Sequence, residues 1–169
     1  MSHTAETDSL PLGLRIRKAT EADSPDVLAC LRTAFEPYRT SYTDEAFAGT
    51  VLTPETFQRR LSSMCIFVAL DEAGHIIGTI ACTRIGPDHG HLRGMAVMPD
   101  FKGRGLASML LQAAEDDLAA HGCSRVTLNT TEPLQRAVRF YEKHGYRPTG
   151  RSRDYFGMVL HEYAKNLSV

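Results

Sequence analysis

The residues best suited to chemistry stand in one run, Val97-Met98-Pro99-Asp100-Phe101-Lys102-Gly103-Arg104-Gly105-Leu106-Ala107. A strand-like stretch ends at Pro99, two glycines alternate with two cations, and helical periodicity begins at Leu106. Glycines let a loop turn and approach a ligand with no Cβ in the way. The unpaired N–H groups of a helix's first turn, at the positive end of its dipole, then face an anion. Lys102 and Arg104 add charge, and a pyrophosphate suits the place because adjacent phosphates can share several convergent donors. Such a run can equally be only a tight strand-to-helix connection. It has neither the G-K-[ST] of a Walker loop nor the dinucleotide G-x-G-x-x-G, so nucleotide hydrolysis and hydride transfer fit poorly.

The loop needs a strand before it and a helix behind it, and the neighbouring sequence supplies both. His91 to Met98 reads as a strand; from Leu106, the apolar residues Met109, Leu110, Ala113 and Leu118 recur on one helical face up to the stop at His121-Gly122. Upstream, Leu14 to Arg17 alternates as a half-buried strand. Thr20 and Pro25 then open a helix carrying Val27, Leu28, Leu31 and Phe35. Pro37 to Thr53 is polar and aromatic by turns and reads as a mobile connection bordering a cleft. Thr53-Pro54-Glu55 starts a second helix. Cys65 to Leu70 and His75 to Ile85 form a hairpin about Asp71-Glu72-Ala73-Gly74. Val126 to Leu128 is a short buried strand, Leu134 to Lys143 a helix, and Asp154 to Ala164, with Phe156, Met158, Leu160 and Glu162 alternating, a last strand or strands. This is a mixed α/β order in one domain over residues 13–169, preceded by a flexible tail over residues 1–12.

With 169 residues, 19 basic against 20 acidic, and no block of like charge, the chain shows neither a nucleic-acid footprint nor a polybasic membrane anchor. No apolar stretch reaches spanning length, and Met1 to Pro11 lacks the form of a secretory signal, so a cytoplasmic location is expected. Cys30, Cys65, Cys82 and Cys123 are far apart in apolar segments and read as buried free thiols. Only His89 and His91 come close among the seven histidines. Without carboxylate or cysteine partners they do not read as a zinc site, and no metal is expected.

The glycine loop and its surroundings resemble the GCN5-related N-acetyltransferase (GNAT) superfamily. That family's loop, [Q/R]-x-x-G-x-[G/A], is matched by Lys102 to Ala107, with Lys102 where Gln or Arg is usual; the charge is kept but not Arg's planar fork. Leu92 to Pro99 is similar to the family's fourth strand. Ala137-Val138-Arg139-Phe140-Tyr141-Glu142-Lys143-His144-Gly145-Tyr146 is similar to its A-x-x-F-Y-x-x-x-G-[F/Y] segment. The resemblance runs from Leu14 to about Ala164 and is specific mainly between Leu92 and Tyr146. It implies a single-domain α/β (α+β) fold, a mixed and mostly antiparallel sheet of about seven strands with about four flanking helices, strands four and five splayed apart.

The resemblance also implies acetyl-CoA as co-substrate. Its pantetheine arm would pair with the strand-four backbone at Met95, Ala96 and Val97. Its pyrophosphate would sit on the amides of Gly103, Arg104, Gly105, Leu106, Ala107 and Ser108, beside Lys102. Tyr141 matches the family's general acid, near the CoA sulfur; a phenol can donate at neutral pH, although the same side chain could simply be packed core. The strand-four glutamate that some members use as base falls at His91, an imidazole able to serve or merely a half-exposed polar residue. Arg93, on the same strand face, could hold a substrate carboxylate or be a surface charge. Leu134 replaces the family's frequent Asn, which leaves Asn129 either to contact pantetheine or only to cap the turn before Pro133.

The implied reaction is direct attack of a primary amine on acetyl-CoA, with amides around Val97 holding the developing oxyanion. The alternatives are a protein lysine or N-terminal acetyltransferase and a non-catalytic acyl-CoA-binding regulatory module; a second copy of the chain is a candidate partner. Specificity is expected in Pro37 to Thr53 and the C-terminal strands, with Tyr38, Tyr42, Asp44, Glu45, Tyr155 and Phe156. Backbone pairing tolerates varied side chains, whereas a Cβ at Gly105 intrudes on the anion site. Gly105→Ala is therefore expected to weaken acyl-CoA binding more than Met95→Ala, measured by calorimetric titration with CoA.

Overall fold

The computed structural model describes residues 13–167, so the expected tail over residues 1–12 lies outside the described residues. The described chain forms β1 (Arg15–Lys18), α1 (Ser24–Phe35), α2 (Asp44–Val51), α3 (Pro54–Ser63), β2 (Cys65–Leu70), β3 (Ile76–Arg84) and β4 (His89–Val97). It continues with α4 (Leu106–Ala120), β5 (Arg125–Thr131), α5 (Gln135–Lys143), β6 (Arg147–Tyr155) and β7 (Met158–Asn166). The seven strands make one sheet in the order β1-β2-β3-β4-β5-β7-β6, antiparallel except where β4 and β5 run parallel. Among the described residues there are five α-helices rather than four, and none is long and apolar enough to cross a membrane.

The extra helix is α2, inside the segment read as a loose connection. Thr43 caps it by accepting from the Ala46 N–H at 3.2 Å, Asp44 and Glu45 follow in the first turn, and Ala46, Phe47 and Val51 are buried. Its eight residues are too few for a clear apolar period, and Gly49 weakens it further. A 3₁₀ turn over Glu36–Ser41 occupies the rest of that segment, and another over Glu21–Asp23 delays the start of α1. At the other end the chain makes two strands. Phe156, expected within the last strand, lies in the turn between them at φ 50° and is exposed. β6 lacks apolar alternation because it is the sheet's outer strand, exposed along nearly its whole length. β5 is longer than the Val126–Leu128 expectation, since its threonines pair with β7 as well as its aliphatics do.

Alternation along β2 explains the two-sided core. Phe67 and Ala69 face one cluster, with Leu106, Leu110, Leu111 and Leu118 of α4; Ile66, Val68 and Leu70 face the other, with Val27 and Leu31 of α1, Phe47 and Val51 of α2 and Phe57 of α3. Full burial of a side chain such as Leu110 or Phe57 contributes about 1.5–3 kcal/mol. Cys30, Cys82 and Cys123 are buried as expected, but Cys65, at the start of β2, is only partly so. Burial raises the Cys30 thiol to about 12, which leaves it unreactive.

Two neighbouring positions at the end of the sheet have opposite energetics. Lys165 Nζ donates to both oxygens of buried Glu115, at 3.0 and 2.9 Å, and lies 5.6 Å from the centre of the Tyr146 ring. Tyr146 is fully buried and, among the described residues, its hydroxyl has no partner. Lys165→Met strands a buried carboxylate and is expected to cost on the order of 2–3 kcal/mol, partial exposure of the lysine keeping this below a fully buried pair. Tyr146→Phe removes an unsatisfied hydroxyl and is expected to raise stability by up to about 1 kcal/mol. Urea unfolding of the two variants checks both signs.

Candidate active site

The parallel pairing of β4 with β5 covers only His89, Gly90 and His91 against Arg125, Val126 and Thr127. Beyond it the strands part, β4 remaining bonded to β3 and β5 to β7. A bulge drives the separation: β4 carries one extra residue between Arg93 and Ala96 opposite Thr79 and Ala81, with Gly94 at φ 68°. Two strand edges in the middle of a sheet thus face each other without bonding. Met95, Ala96 and Val97 line one lip of the resulting cleft and Leu128, Asn129 and Thr130 the other, within a volume of about 500 Å³.

At one end of the cleft lies the glycine loop. Gly103 and Gly105 take φ of 80° and 79°, a conformation that disfavours any side chain, and a Cβ on either would meet nothing within 4 Å. Gly105 is the N-cap of α4, with no side-chain cap and no acidic residue in the first turn, whereas α2 and α3 are capped by Thr43 and Thr53. The first-turn amides of α4 therefore remain available to an anion. Lys102, Arg136 and Lys143 ring the same end, and burial and then Arg136 lower the Lys102 ammonium pKa. Arg136 and Lys143 were not singled out from sequence. Their seven-residue spacing, which puts both on one helical face, was the available signal.

Of the residues expected at the site, Met95, Ala96, Val97, Lys102, Gly103, Gly105, Leu106, Ala107, Ser108, Asn129, Tyr141 and His91 all line the cleft. Arg104 does not; its guanidinium lies 5.2 Å from the centre of the Phe101 ring. Leu106 directs its side chain into the core, so only its backbone could serve a ligand. Ser108 is engaged by His144, Oγ to Nε2 at 3.0 Å. His144 Nδ1 lies 2.8 Å from the Phe140 carbonyl and must donate there, so in the neutral ring Nε2 accepts from Ser108, and α4 is tied to α5. Tyr141 is buried edge-on to Phe140 and Tyr146, and desolvation raises its pKa. Its phenol therefore stays protonated, a donor throughout the neutral range.

The other end is walled by α1, the following 3₁₀ turn, α2, α3 and the β6–β7 hairpin. Tyr38, Tyr42 and Tyr155 line it, as do Phe35, Thr50, Arg60, Arg93 and Arg153; Asp44, Glu45 and Phe156 do not. The hairpin tip is fastened to α2. Thr43 Oγ1 donates to the Phe156 carbonyl at 2.7 Å, and the Tyr155 hydroxyl packs over Gly49, where no Cβ intervenes. None of the four cysteines lines the cleft.

His91 meets Thr127 Oγ1 at 2.9 Å through Nδ1, and His89 Nε2 shares that oxygen at 3.2 Å. Burial, then the charges of Arg93 and Arg153, lower the His91 pKa to about 4, against a smaller opposing effect of Glu162 and with His89 adding to the fall. The folded protein therefore binds fewer protons here than the unfolded chain between about pH 6.5 and 4, and His91 contributes stability at neutral pH that is lost on acidification through that window. In a histidine NMR titration the His91 ring signal is expected to stay flat from pH 8 to 5.5. A midpoint near 6.5 would contradict this placement.

The sequence profile of the acetyltransferase (GNAT) family matches residues 27–146. An acetyltransferase of the GNAT family from Streptococcus pneumoniae is 25% identical with a TM-score of 0.69, the match covering 92% of this chain and 99% of that one. The PaiA N-acetyltransferase from Thermoplasma acidophilum, solved in complex with coenzyme A, is 18% identical with a TM-score of 0.76 over 91% and 99% of the two chains. The ribosomal-protein-S18-alanine N-acetyltransferase from Escherichia coli is 18% identical with a TM-score of 0.73 over 92% and 95%. At 18% identity these last two likenesses concern the fold.

Proposed function

The chain belongs to the acetyltransferase (GNAT) family, and from that premise we propose that it transfers an acetyl group from acetyl-CoA to the primary amine of a small molecule by direct attack. The observation that carries this reading is the cleft where β4 leaves β5, running from an uncapped helix start to a pocket walled by aromatic residues. Its parts fit the co-substrate: an extended polar arm satisfies the parted strand edges, a pyrophosphate satisfies the amides of Gly103 to Ser108 with Lys102 beside them, and Asn129 lies across the cleft from Met95 to Val97. When bound, acetyl-CoA supplies the activated acyl group.

Tyr141 then serves as the acid that protonates the departing thiolate. Burial raises the phenol's pKa, but the same dry surroundings raise that of the thiol, so the two remain matched. His91 serves as base. Because its imidazole is held to about 4 it is neutral at physiological pH with a lone pair free, yet it drives proton removal weakly. Against an ordinary ammonium the gap is roughly six pKa units, about 8 kcal/mol. The guanidinium groups of Arg93 and Arg153, which lower the His91 pKa, also lower that of an amine brought among them, and Arg60 on the same cleft adds to this, which narrows the gap. Backbone N–H groups near Val97 are suited to the oxyanion.

The fastened hairpin tip favours a small acceptor over a protein segment, because Thr43 holds the Phe156 carbonyl and Tyr155, packed over Gly49, roofs the pocket against α2. Thiol release from acetyl-CoA with a panel of amines and peptides tests the reading. CoA binding without turnover on any of them would point to a binding module. Tyr141→Phe is expected to lower kcat by roughly 10²-fold, the lower end of the range for a general acid, with little change in CoA affinity; full turnover in that variant at every pH would remove the tyrosine from the mechanism.

A further inference from the structure

Three arginines from three elements meet at the acceptor end of the cleft: Arg60 on α3, Arg93 on β4 and Arg153 on β6. The β4 bulge makes room for the first of them. Arg60 Nη1 lies 2.7 Å from the point where a Cβ on Gly94 would stand, so the absent side chain leaves the place that the guanidinium occupies, beside Arg93. Among the described residues none of the three forms an ion pair, whereas Arg17 is held by Asp23 and Lys165 by Glu115. Glu162, the acid that acts on His91, is engaged by the Thr149 hydroxyl at 2.9 Å.

Arg93 and Arg153 are exposed, so the folding cost of leaving these cations unpaired falls on Arg60. Arg60 is partly withdrawn from water, and burial, then the charge of Arg93, push its pKa down to about 10, a sign that the cation is poorly compensated where it stands. Cations that serve the fold are matched by acids, as Lys165 is; unmatched cations converging on a cleft suit an external oxyanion, which the guanidinium fork can hold through two parallel bonds. Phe35, Tyr38 and Tyr42 line the same end, the three rings packed with centroids 6.4 Å apart along Phe35–Tyr38 and Phe35–Tyr42, so an apolar surface adjoins the cations.

We propose that the acceptor is a small amine that also carries an oxyanion, an α-amino acid with an apolar side chain or its phosphonate counterpart. Arg60, with Arg93 and Arg153, holds the oxyanion, the aromatic wall takes the side chain, and the amino group lies toward His91. This rests on the acetyltransferase reading and names its substrate class.

The test compares phenylalanine, 1-amino-2-phenylethylphosphonate and phenethylamine as acceptors in thiol-release assays, and measures calorimetric binding of N-acetylphenylalanine and N-acetylphenethylamine to the CoA-loaded protein. The anionic amines are expected to exceed phenethylamine in kcat/KM by roughly 10²-fold or more, as a site built for a polar group discriminates against an analogue lacking it. The better of the two anionic substrates identifies the oxyanion. Arg60→Gln should remove most of that preference, mainly through KM, Arg60→Lys should restore part of it, and only N-acetylphenylalanine should bind. Because the cations are unmatched, Arg60→Gln without ligand should melt at or above the wild-type temperature; a fall would assign Arg60 to the fold and overturn the proposal. Turnover of phenethylamine equal to that of phenylalanine overturns it too, while leaving the acetyltransferase reading intact. If no amine is turned over although CoA binds, that reading fails, and binding of N-acetylphenylalanine then decides the oxyanion site on its own.

Discussion

Backbone N–H and C=O groups inside a sheet have to be paired, and in this protein two interior strands part before that requirement is met. β4 and β5 bond over three residues and diverge, each still fastened on its outer side. Burying unpaired peptide groups costs free energy comparable to the bonds forgone, so the gap survives only as an open cleft or around something that completes the pairing. The other features of the site follow from this opening. α4 starts at one end of the cleft, α5 brings Tyr141 to its side, and the β6–β7 hairpin closes the far end.

Departures from local consistency gather around the same opening. α2 and α3 carry their own threonine caps and α4 has none; among the described residues Lys165 finds Glu115, and Arg60 finds no acid. Gly94, Gly103 and Gly105 hold positive φ values on the cleft wall. The matching is not complete elsewhere, since α1 and α5 also lack a side-chain cap and the buried Tyr146 hydroxyl has no partner among the described residues. At the cleft, however, an uncapped helix start and unpaired cations face open space, where a ligand is the natural complement.

The elements legible in the chain were those whose pattern is local and strong. β2 is a continuous apolar run because both of its faces are buried, and α4 carries its stripe for fifteen residues. α2 escaped because eight residues interrupted by Gly49 give no clear period, although Thr43 followed by two acids was a usable cap signal. β6 escaped because an outer strand exposed on both faces has nothing to alternate. The Gly94 bulge also has a local cause, a residue able to take φ 68°, but nothing in the neighbouring letters distinguishes that glycine from one in an ordinary strand.

By itself, the sequence determined the family, the order of the elements and the anion-suited loop, because those reside in contiguous patterns: glycine spacing, helical period, and the segment from Ala137 to Tyr146. Only the tertiary structure decided how the charges meet. Arg60, Arg93 and Arg153 are 33 and 60 residues apart in successive steps along the chain and are ordinary cations one at a time. The sheet order and the bulge bring them to the cleft that His91 lines, and the burial of His91, with the charges of Arg93 and Arg153, moves the imidazole to about 4. Electrostatic coupling depends on distance through space and on withdrawal from water, and neither is written in the spacing of residues along a chain.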